Sequence, residues 1–480
     1  MSRGRRLAVL GICSMSLFIV GLDTTIVNVA LPSFRRSLGA TLSELQWTID
    51  GYTLVLASLL VLAGSTADRV GRKRIFSLGL IVFALGSLAC GLAPSVGLLV
   101  LFRVVQALGG SMLNPVALSI IRNVFEDPRE RAQAIGVWGA MFGLSIALGP
   151  IVGGALVQSV GWRAVFMVNV PVGALALLLT TLYVPESRAP RHRRIDPVGQ
   201  LLVIAALASL TYSIIEAPRR GWGSPTIVIL LAVSATCFIS LVRYELRRRE
   251  PLLEMRFFRS APFAGASATA VLAFAGQGGF LFLNTLYLQG VRGLSALDAG
   301  LYLLPMAVTI LIFAPLSGRV VGRLGARLPL VLGGLGLCAG DLMLTRLTPS
   351  TGVAYLLVAY LLFGAGLGWL NAPITNTAVS GMPPSQAGVA ASIASTSRQV
   401  GTTLGVAVIG AIAGGGITGR IPQGLAAASH PAWYLSAALA LVIIVLGIVT
   451  TSDRARRTAE RTAALFQEGR PQAATAPTAS

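Results

Sequence analysis

The chain has 480 residues, 54% of them hydrophobic and only 12% charged, with a formal net charge of +20 and a mean hydropathy of +0.77. A soluble domain carries about 25% charged residues, so this composition leaves too few polar side chains to cover a surface in water and argues against a soluble enzyme. The arginines stand in short clusters between apolar runs, a pattern typical of membrane-protein loops and not of a nucleic-acid-binding surface.

Apolar runs of about 20 residues, the length that crosses a bilayer core of about 30 Å, recur along the whole chain. The first run contains Asp23 and is too long and too polar for a signal peptide, so it is interpreted as a span. The fourteen predicted spans are 7–31, 46–66, 75–93, 97–121, 133–157, 164–184, 197–215, 225–243, 262–288, 299–317, 328–345, 353–379, 386–415 and 432–450. An even number of spans places both termini on the same side.

The loops are strongly asymmetric in charge. Those on the side of the amino terminus carry 28 lysines and arginines, and those on the opposite side carry 8. Positive charge is retained on the cytoplasmic side of a membrane. Both termini are therefore predicted to be cytoplasmic.

The chain also contains an internal repeat. "GSTADRVGRKR" (64–74) follows the second predicted span, and "GRVVGRLGARL" (318–328) follows the tenth, at a constant offset of 254. Two related halves are typical of secondary transporters. The predicted domains are a six-helix bundle over 7–184, a linker with two inserted helices over 185–261, a second six-helix bundle over 262–450 and a cytoplasmic, disordered tail over 451–480.

The sequence lacks the motifs of ATP hydrolysis, hydrolytic catalysis and metal binding. Lys73 is followed by Arg74, so no Walker A motif is present, and no HExxH motif, nucleophile elbow or Cys/His cluster is found. The four cysteines lie in apolar spans with no CxxC pair. We expect no enzyme activity, metal or cofactor, and uphill movement of a solute would have to draw on an ion gradient.

Asp23 is the most informative of the polar residues inside the spans. A carboxylate within hydrocarbon costs about 2.5–3.5 kcal/mol and defaults to a functional role. Burial disfavours its charged form, so it is suited to bind and release a proton, and the same charge attracts a cationic compound. The alternative is a structural role, with Thr24 and Asn28 close enough to help in capping a kink or bridging helices. Arg103, in the fourth span, needs a buried partner of its own.

Further polar and aromatic residues inside the spans are candidates for lining a substrate cavity. The cavity candidates are Asp23, Asn28, Asp50, Gln106, Gln277, Asn284 and Asn371. Trp47, Tyr52, Phe142 and Trp369 are aromatic candidates for stacking on a flat or cationic ligand. For Asp341, near the outer end of the eleventh span, two alternatives stay open: contact with substrate, or a position that merely reaches the membrane interface.

Six segments then point to a family. "GSTADRVGRKR" resembles the GxxxDRxGRRR loop of the major facilitator superfamily, "RVVQALGG" (103–110) its RxxQGxG pattern, and "SIALGPIVGG" (145–154) its GxxxGPxxGG antiporter motif, with Ser145 in place of the first glycine. "LDTTIVNVALP" (22–32), "WRAVFMVNVPVG" (162–173) and "YLQGVRGLSALDAGLYLLP" (287–305) resemble hallmarks of its fourteen-span drug:H+ antiporters, the EmrB/QacA type.

The resemblance implies an all-α fold of two six-helix bundles plus two inserted helices, with a central cavity that opens alternately to each side. It makes Asp23 and Arg103 the proton-coupling residues. The implied gating loop contains Gly64, Asp68, Arg69, Gly71 and Arg72, and the implied antiporter motif contains Gly149, Pro150, Gly153 and Gly154. Gly322 stands where the second copy of the loop would have the counterpart of Asp68, so gating is expected to be asymmetric.

The resulting hypothesis is a proton-coupled exporter of amphipathic, cationic or multidrug-type compounds in a bacterial cytoplasmic membrane. Its expected partners are small molecules, protons and lipid, with no nucleic acid. Three alternatives remain open at the level of sequence: a dedicated exporter of one endogenous metabolite or antibiotic, a solute uptake system, and a non-transporting membrane protein such as a lipid-modifying enzyme or a scaffold.

Overall fold

The computed structural model describes residues 1–188, 196–248, 251–380, 387–415 and 421–467, and these residues are predominantly helical. The first half contains α1 Arg3–Leu38, α2 Leu42–Val70, α3 Arg72–Leu92, α4 Val96–Val124, α5 Pro128–Ser159, α6 Ala164–Met167 and α7 Asn169–Tyr183. Two further helices follow, α8 Pro197–Arg220 and α9 Pro225–Arg247. The second half contains a 3-10 turn Met255–Arg259, α10 Ala261–Leu286, a π-helical turn Tyr287–Val291, α11 Ala296–Tyr302, α12 Leu304–Leu324, α13 Arg327–Leu344, α14 Val353–Val379, α15 Ala387–Gly415 and α16 Ile421–Val449.

Long apolar runs adopt helices here because a bilayer offers no water to satisfy backbone N–H and C=O groups. Local residues then set the helix ends. Gly39 ends α1 in the left-handed conformation, with φ +69°. Thr41 and Glu44 form a reciprocal capping box at the start of α2, and Ser260 caps α10.

Thirteen helical segments among the described residues are long and apolar enough to cross a membrane. The chain is therefore a multi-pass membrane protein, although fourteen spans were predicted. Helix α15 lies where the thirteenth span, 386–415, was predicted, and it is the predicted span that is not among the thirteen segments. Arg398, Gln399, Thr402 and Thr403 make it more polar, and it is packed between α10 and α2 inside the protein.

The helix pairing of the first half recurs in the second. In the first half α1 packs on α5, and α4 packs on both α2 and α3. In the second half α10 packs on α15, and α14 packs on both α12 and α13. The two halves meet where α2 contacts α15, where α5 contacts α11 and α12, and where α1 contacts α10. Helix α8 lies along the first of these seams and contacts both α2 and α15.

The prediction of a disordered tail over 451–480 is wrong for its first part. Asp453–Gln467 form a further helix, α17, and residues 468–480 lie outside the described residues. Ala455, Ala459 and Thr462 are buried on one face of α17, and the Phe466 ring lies 5.3 Å from that of Phe257. An apolar stripe at helical spacing stabilises a helix against a packed surface even where the overall composition is polar.

Candidate functional site

Asp23 and Arg103 form a fully buried ion pair inside the first half. Asp23 comes from α1 and Arg103 from α4, and Arg103 Nη1 lies 2.5 Å from Asp23 Oδ2. Their side chains are 0% and 1% exposed. A buried charge is tolerated only when it is paired and hydrogen-bonded, so each of these residues supplies the partner that the other requires.

Three more side chains complete the surroundings of the carboxylate. Gln106 Nε2 donates to Asp23 Oδ1 at 2.8 Å, and Asn169 Nδ2 donates to the same oxygen at 3.0 Å. Both amides also reach Ser87 Oγ, at 2.5 Å from Gln106 and 3.3 Å from Asn169. The network therefore links side chains of α1, α3, α4 and α7.

The guanidinium of Arg103 is held from several directions. Its Nη1 donates to Gln106 Oε1 at 2.7 Å, and its Nε donates to the Thr48 carbonyl at 3.2 Å. Its carbon lies 4.0 Å from the centre of the Tyr52 ring and 5.7 Å from that of Phe166. Tyr52, predicted as a candidate for stacking on a ligand, therefore stacks on the protein's own cation. Arg103 keeps polar and aromatic partners even if Asp23 becomes neutral.

The other predicted cavity residues are not part of this network. Asn284 is buried and accepts from Tyr360 Oη at 2.8 Å in the second half. Asp50 is 0% exposed; its Oδ1 accepts from Thr53 Oγ1 at 3.4 Å, and its Oδ2 has no hydrogen-bond partner among the described residues. Asn28 Nδ2 donates to the Thr24 carbonyl on its own helix, Gln277 is buried and Asn371 is half-buried.

The predicted gating loop is docked on the end of α7. Asp68 accepts from Arg72 Nε at 2.9 Å and from Arg72 Nη2 at 2.8 Å. The backbone N–H of Arg72 donates to the Ser187 carbonyl at 2.9 Å, and that of Lys73 donates to Glu186 Oε1 at 3.1 Å. Gly64 is half-buried, and Arg69 is exposed. In this conformation the Asp68–Arg72 pair lies within the first half.

The predicted antiporter motif is a set of close helix contacts. A Cβ on Gly149 would overlap Thr25 Oγ1 of α1, and one on Gly153 would lie 2.7 Å from Ile26 Cγ1. On the opposite side of α5, a Cβ on Gly154 would lie 2.5 Å from the Ala296 carbonyl oxygen of the second half. Small residues allow such helix approach inside a membrane. Helix α5 is thus clamped between α1 and α11, which closes this end of the protein.

Pro150 also takes part in the contact between α5 and α11, where it faces Gly300. A Cβ on Gly300, in α11, would lie 2.8 Å from the Pro150 carbonyl carbon. A proline inside a helix frees a backbone carbonyl and bends the helix. Gln289 Nε2 adds a hydrogen bond between the halves at this end, to the Val29 carbonyl at 2.8 Å. We call the region around Val29, Gly154 and Ala296 the closed end.

A second set of contacts joins the halves along the seam of α2 and α15. Gln46 Nε2 donates to the carbonyls of Val406 and Ala407, each at 3.0 Å, and a Cβ on Gly410 would overlap its amide. Thr403 Oγ1 donates to Thr53 Oγ1 at 2.8 Å. These bonds hold α2 and α15 together and fix their register.

The opposite end of α1 and α5 is less tightly packed. A cleft of about 410 Å³ opens between the amino-terminal parts of the two helices. Its lining residues are Leu7, Leu10, Gly11, Ser14, Met15, Phe18, Val137 and Met141. The lining is almost wholly apolar and includes two flexible methionines, side chains that adapt to varied apolar shapes. The cleft can therefore accommodate an apolar group at the end opposite the closed end.

A protein-family model, described as Major Facilitator Superfamily, matches residues 13–406. The chain belongs to this superfamily. A major facilitator protein is a membrane transporter and not an enzyme. The match covers the buried ion pair, the gating loop and the closed end described above.

Similar curated proteins are named for drug resistance or export. The chain is 40% identical over 398 residues to the multidrug resistance protein Stp of Mycobacterium tuberculosis, covering 83% of this chain and 74% of that protein. It is 38% identical over 431 residues to the tetracenomycin C resistance and export protein of Streptomyces glaucescens, covering 89% and 80%. It is 36% identical over 395 residues to a methylenomycin A resistance protein of Streptomyces coelicolor, covering 82% of each.

A solved structure has the same fold. A bacterial homologue of the human lysosomal transporter Spinster, in an inward-facing and unoccupied conformation, matches with a TM-score of 0.63 and 20% identity. The match covers 99% of this chain and 100% of that one. It supports the major facilitator fold of the chain.

The sequence predicted Asp23, Arg103 and Gln106 as site residues but did not predict Asn169 or Ser87. Asn169 lies in "WRAVFMVNVPVG", a segment already quoted for its family resemblance, and its amide among apolar residues was the available signal. Ser87 had no comparable signal, since a serine in an apolar span commonly bonds its own helix. Glu186 and Gln46 were missed because their roles depend on contacts more than 100 residues apart along the chain.

Proposed function

We propose that this major facilitator protein is a proton-coupled antiporter that exports amphipathic, cationic compounds by alternating access. The observation that carries the proposal is the Asp23–Arg103 pair, a carboxylate with one cationic partner and 0% exposure inside a membrane protein. The names of the relatives, which include a multidrug resistance protein and a resistance and export protein, support the export of drugs.

The geometry suggests how a proton acts. Protonation of Asp23 removes its charge and leaves the Arg103 cation with neutral partners: Gln106, the Thr48 carbonyl and the rings of Tyr52 and Phe166. Breaking a buried pair in this way costs about 3–5 kcal/mol, unless the helices rearrange to recover part of it. Because the network joins α1, α3, α4 and α7, protonation favours a rearrangement of the first half as a whole.

The contacts between the halves suggest at which end of the protein a substrate pathway opens. The closed end is sealed by Gly154 and Gly300, and the cleft between α1 and α5 lies at the other end. The excess of lysine and arginine on the amino-terminal side, 28 against 8, assigns that other end to the cytoplasm of a bacterium. In this assignment both termini are cytoplasmic, the conformation faces inward, and substrate enters by the cleft.

We further propose that the chain has fourteen spans, as in the EmrB/QacA type. Helix α15 would be the additional span, the thirteenth in chain order, lying inside the protein where its polar residues meet α2 and α10. Helices α8 and α9 would be the inserted pair, with the predicted boundaries of 185–261. This assignment keeps six spans in each half.

The test uses inside-out membrane vesicles with an acidic interior and ethidium as the dye. Wild type is compared with Asp23→Asn and with Asp453→Asn, a matched acid-to-amide change at a side chain that is 89% exposed. Gradient-driven uptake that is lost only in Asp23→Asn supports antiport through Asp23. Equal uptake in all three would assign Asp23 a structural role and place the coupling acid elsewhere.

A dedicated exporter of one compound is the second candidate function. It is favoured by the relatives named for a single antibiotic, tetracenomycin C or methylenomycin A. A growth screen with many toxic compounds separates the two candidates, because a multidrug exporter protects against several of them and a dedicated exporter protects against one. Vesicles that hold their gradient but do not move ethidium would also favour the dedicated exporter.

A further inference from the structure

A second carboxyl group is buried in the second half, away from the Asp23 network. Asp341 lies on α13 and is 1% exposed. Its Oδ2 accepts a hydrogen bond from Ser436 Oγ of α16 at 2.7 Å, and its Oδ1 has no hydrogen-bond partner among the described residues. The sequence left open whether Asp341 contacts substrate or reaches the membrane interface; its side chain is buried in the protein, on a helix that packs against α14 and α16.

The surroundings of Asp341 differ from those of Asp23 in one decisive respect. Within the described ranges, no lysine, arginine or histidine forms an ion pair with Asp341, whereas Asp23 has Arg103 and two amide donors. Ionisable side chains also lie on the elements packed around Asp341. The described ones are Arg327 and Cys338 on α13, Tyr355 and Tyr360 on α14, His430 and Tyr434 on α16, Arg319 and Arg323 towards the far end of α12, and Arg346 beyond α13. Tyr360 donates to Asn284, and the ring of His430 is bonded to the Leu347 carbonyl.

An ionised carboxylate with one hydrogen bond is strongly disfavoured in such a place. A neutral carboxylic acid needs fewer partners, and the free Oδ1 is compatible with that form. We propose that Asp341 is a second, exchangeable proton-binding site, which holds a proton in the conformation described here. The proposal rests on the proposed function for its role, because an antiporter could then carry a proton at Asp341 in addition to the one at Asp23.

The internal repeat relates the position of Asp341 to the Asp23 network of the first half. At the offset of 254, Asp341 aligns with Ser87, the hydroxyl that receives the amides of Gln106 and Asn169. Asp23 itself aligns with Gln277, and a Cβ on the neighbouring Gly276 would lie 3.4 Å from Ser436 Oγ. Each half thus buries an acid, Asp23 on α1 with a cationic partner and Asp341 on α13 with no ion pair among the described residues.

Infrared spectroscopy of the purified protein in lipid nanodiscs tests the site without any transported compound. The measurement follows the carbonyl stretch of protonated carboxylic acids from mildly acidic to alkaline buffer. Wild type is compared with Asp341→Asn, and Asp453→Asn is the matched control because it makes the same acid-to-amide change at a side chain that is 89% exposed. We expect a component at neutral pH that titrates away in alkaline buffer, is missing only in Asp341→Asn and shifts in Ser436→Ala.

Two results would overturn the proposal. One is a wild-type spectrum with no component that depends on Asp341, which would mean an ionised group. The other is a component that persists unchanged into alkaline buffer, which would mean a permanently bound, structural proton. Both readouts are independent of transport, so they stay decisive even if no compound is moved.

The role in coupling has its own measurement. In the vesicle assay, ethidium uptake is recorded against the size of the imposed pH gradient for wild type and Asp341→Asn. We expect a shallower dependence in the variant, with uptake retained, because one of two protons is lost. An unchanged dependence would refute the role in coupling, and absent uptake in wild type would count against the proposed function and leave the infrared result standing.

Discussion

The carboxylate of Glu186 lies directly against the backbone of Gly71. A Cβ on Gly71 would be 2.8 Å from Glu186 Oε1, and the φ of Gly71 is +132°, a conformation that side chains rarely adopt. The same carboxylate accepts from the N–H of Lys73 at 3.1 Å and lies 3.7 Å from Arg74 Nε. The predicted gating loop between α2 and α3 is therefore held by the segment that follows α7, within one half of the transporter.

Replacing Gly71 with alanine should undock the loop. The substitution introduces a side chain both into contact with Glu186 and into a strained backbone conformation, at a cost of about 1–3 kcal/mol. We expect gradient-driven ethidium uptake to fall about tenfold, with the protein still in the membrane. Gly136→Ala is the matched control, because a Cβ there meets no atom within 4 Å. Equal effects of the two substitutions would contradict a specific role for the Glu186–Gly71 contact.

Glu186→Gln should have a weaker effect than Gly71→Ala. The amide keeps the size of the side chain and an oxygen that can accept from Lys73, but it loses the charge that faces Arg74. That pair is partly exposed, with side-chain exposures of 35% and 67%, and exposed ion pairs contribute about 0.2–1 kcal/mol. We expect ethidium uptake to fall about fivefold or less, measured in the same vesicles. A loss as large as that of Gly71→Ala would show that the charge, and not the packing, holds the loop.

Gly154→Ala should prevent the closed end from sealing. The new Cβ would lie 2.5 Å from the backbone oxygen of Ala296, and a backbone atom has little freedom to move. Overpacking of this kind costs about 1–3 kcal/mol, and it acts only when α5 and α11 are in contact. Spin labels at Val160→Cys and Leu301→Cys should report a longer distance than in the unsubstituted protein. Gly139→Ala, with no atom within 4 Å of its Cβ, should leave the distance unchanged.

Gln46→Leu should weaken the seam between α2 and α15. The substitution keeps the bulk of the side chain but removes both hydrogen bonds to Val406 and Ala407. A typical hydrogen bond contributes about 0.5–1.5 kcal/mol, so we expect a loss of about 1–3 kcal/mol, seen as a lower melting temperature of the purified protein. Ser65→Ala, which removes a bond to the Leu62 carbonyl on its own helix, serves as the control. An unchanged melting temperature in Gln46→Leu would show that this amide does not hold the halves together.

Much of the fold could be read from the sequence because a bilayer imposes its thickness on each apolar run. The offset of 254 between the two gating-loop segments likewise indicated two related halves. The span over α15, the thirteenth in chain order, was harder to establish, since Arg398 and its polar neighbours lower the hydropathy of a helix buried among other helices. The α17 helix was missed because its apolar face is built mostly from alanine and threonine, such as Ala455 and Thr462, in a charged segment.

The candidate site could be predicted only in part, for a physical reason. Asp23 and Arg103 stand out because charge inside a membrane is costly wherever it occurs. Asn169, Ser87 and Gln46 are neutral, so burying them in a membrane span costs less free energy than burying a charge and they do not stand out in the sequence. Their roles depend on the residues that the fold places next to them. The burial of Asp341 also depends on folding, because the same position near the end of α13 would be exposed if α16 lay elsewhere.

The strength of the Asp23–Arg103 pair can be measured with a double-mutant cycle. Asp23→Asn alone leaves the Arg103 cation buried with neutral partners, and Arg103→Gln alone leaves the Asp23 carboxylate with only the amides of Gln106 and Asn169. Each single change should lower the free energy of unfolding by about 3–5 kcal/mol, because it leaves an uncompensated buried charge. The double variant contains no charge at this site, so its loss should be much smaller than the sum of the two. Purified protein unfolded by denaturant in mixed micelles gives the three values. Additive losses would mean that Asp23 and Arg103 act separately, and the coupling of a proton to the helices through this pair would have to be abandoned.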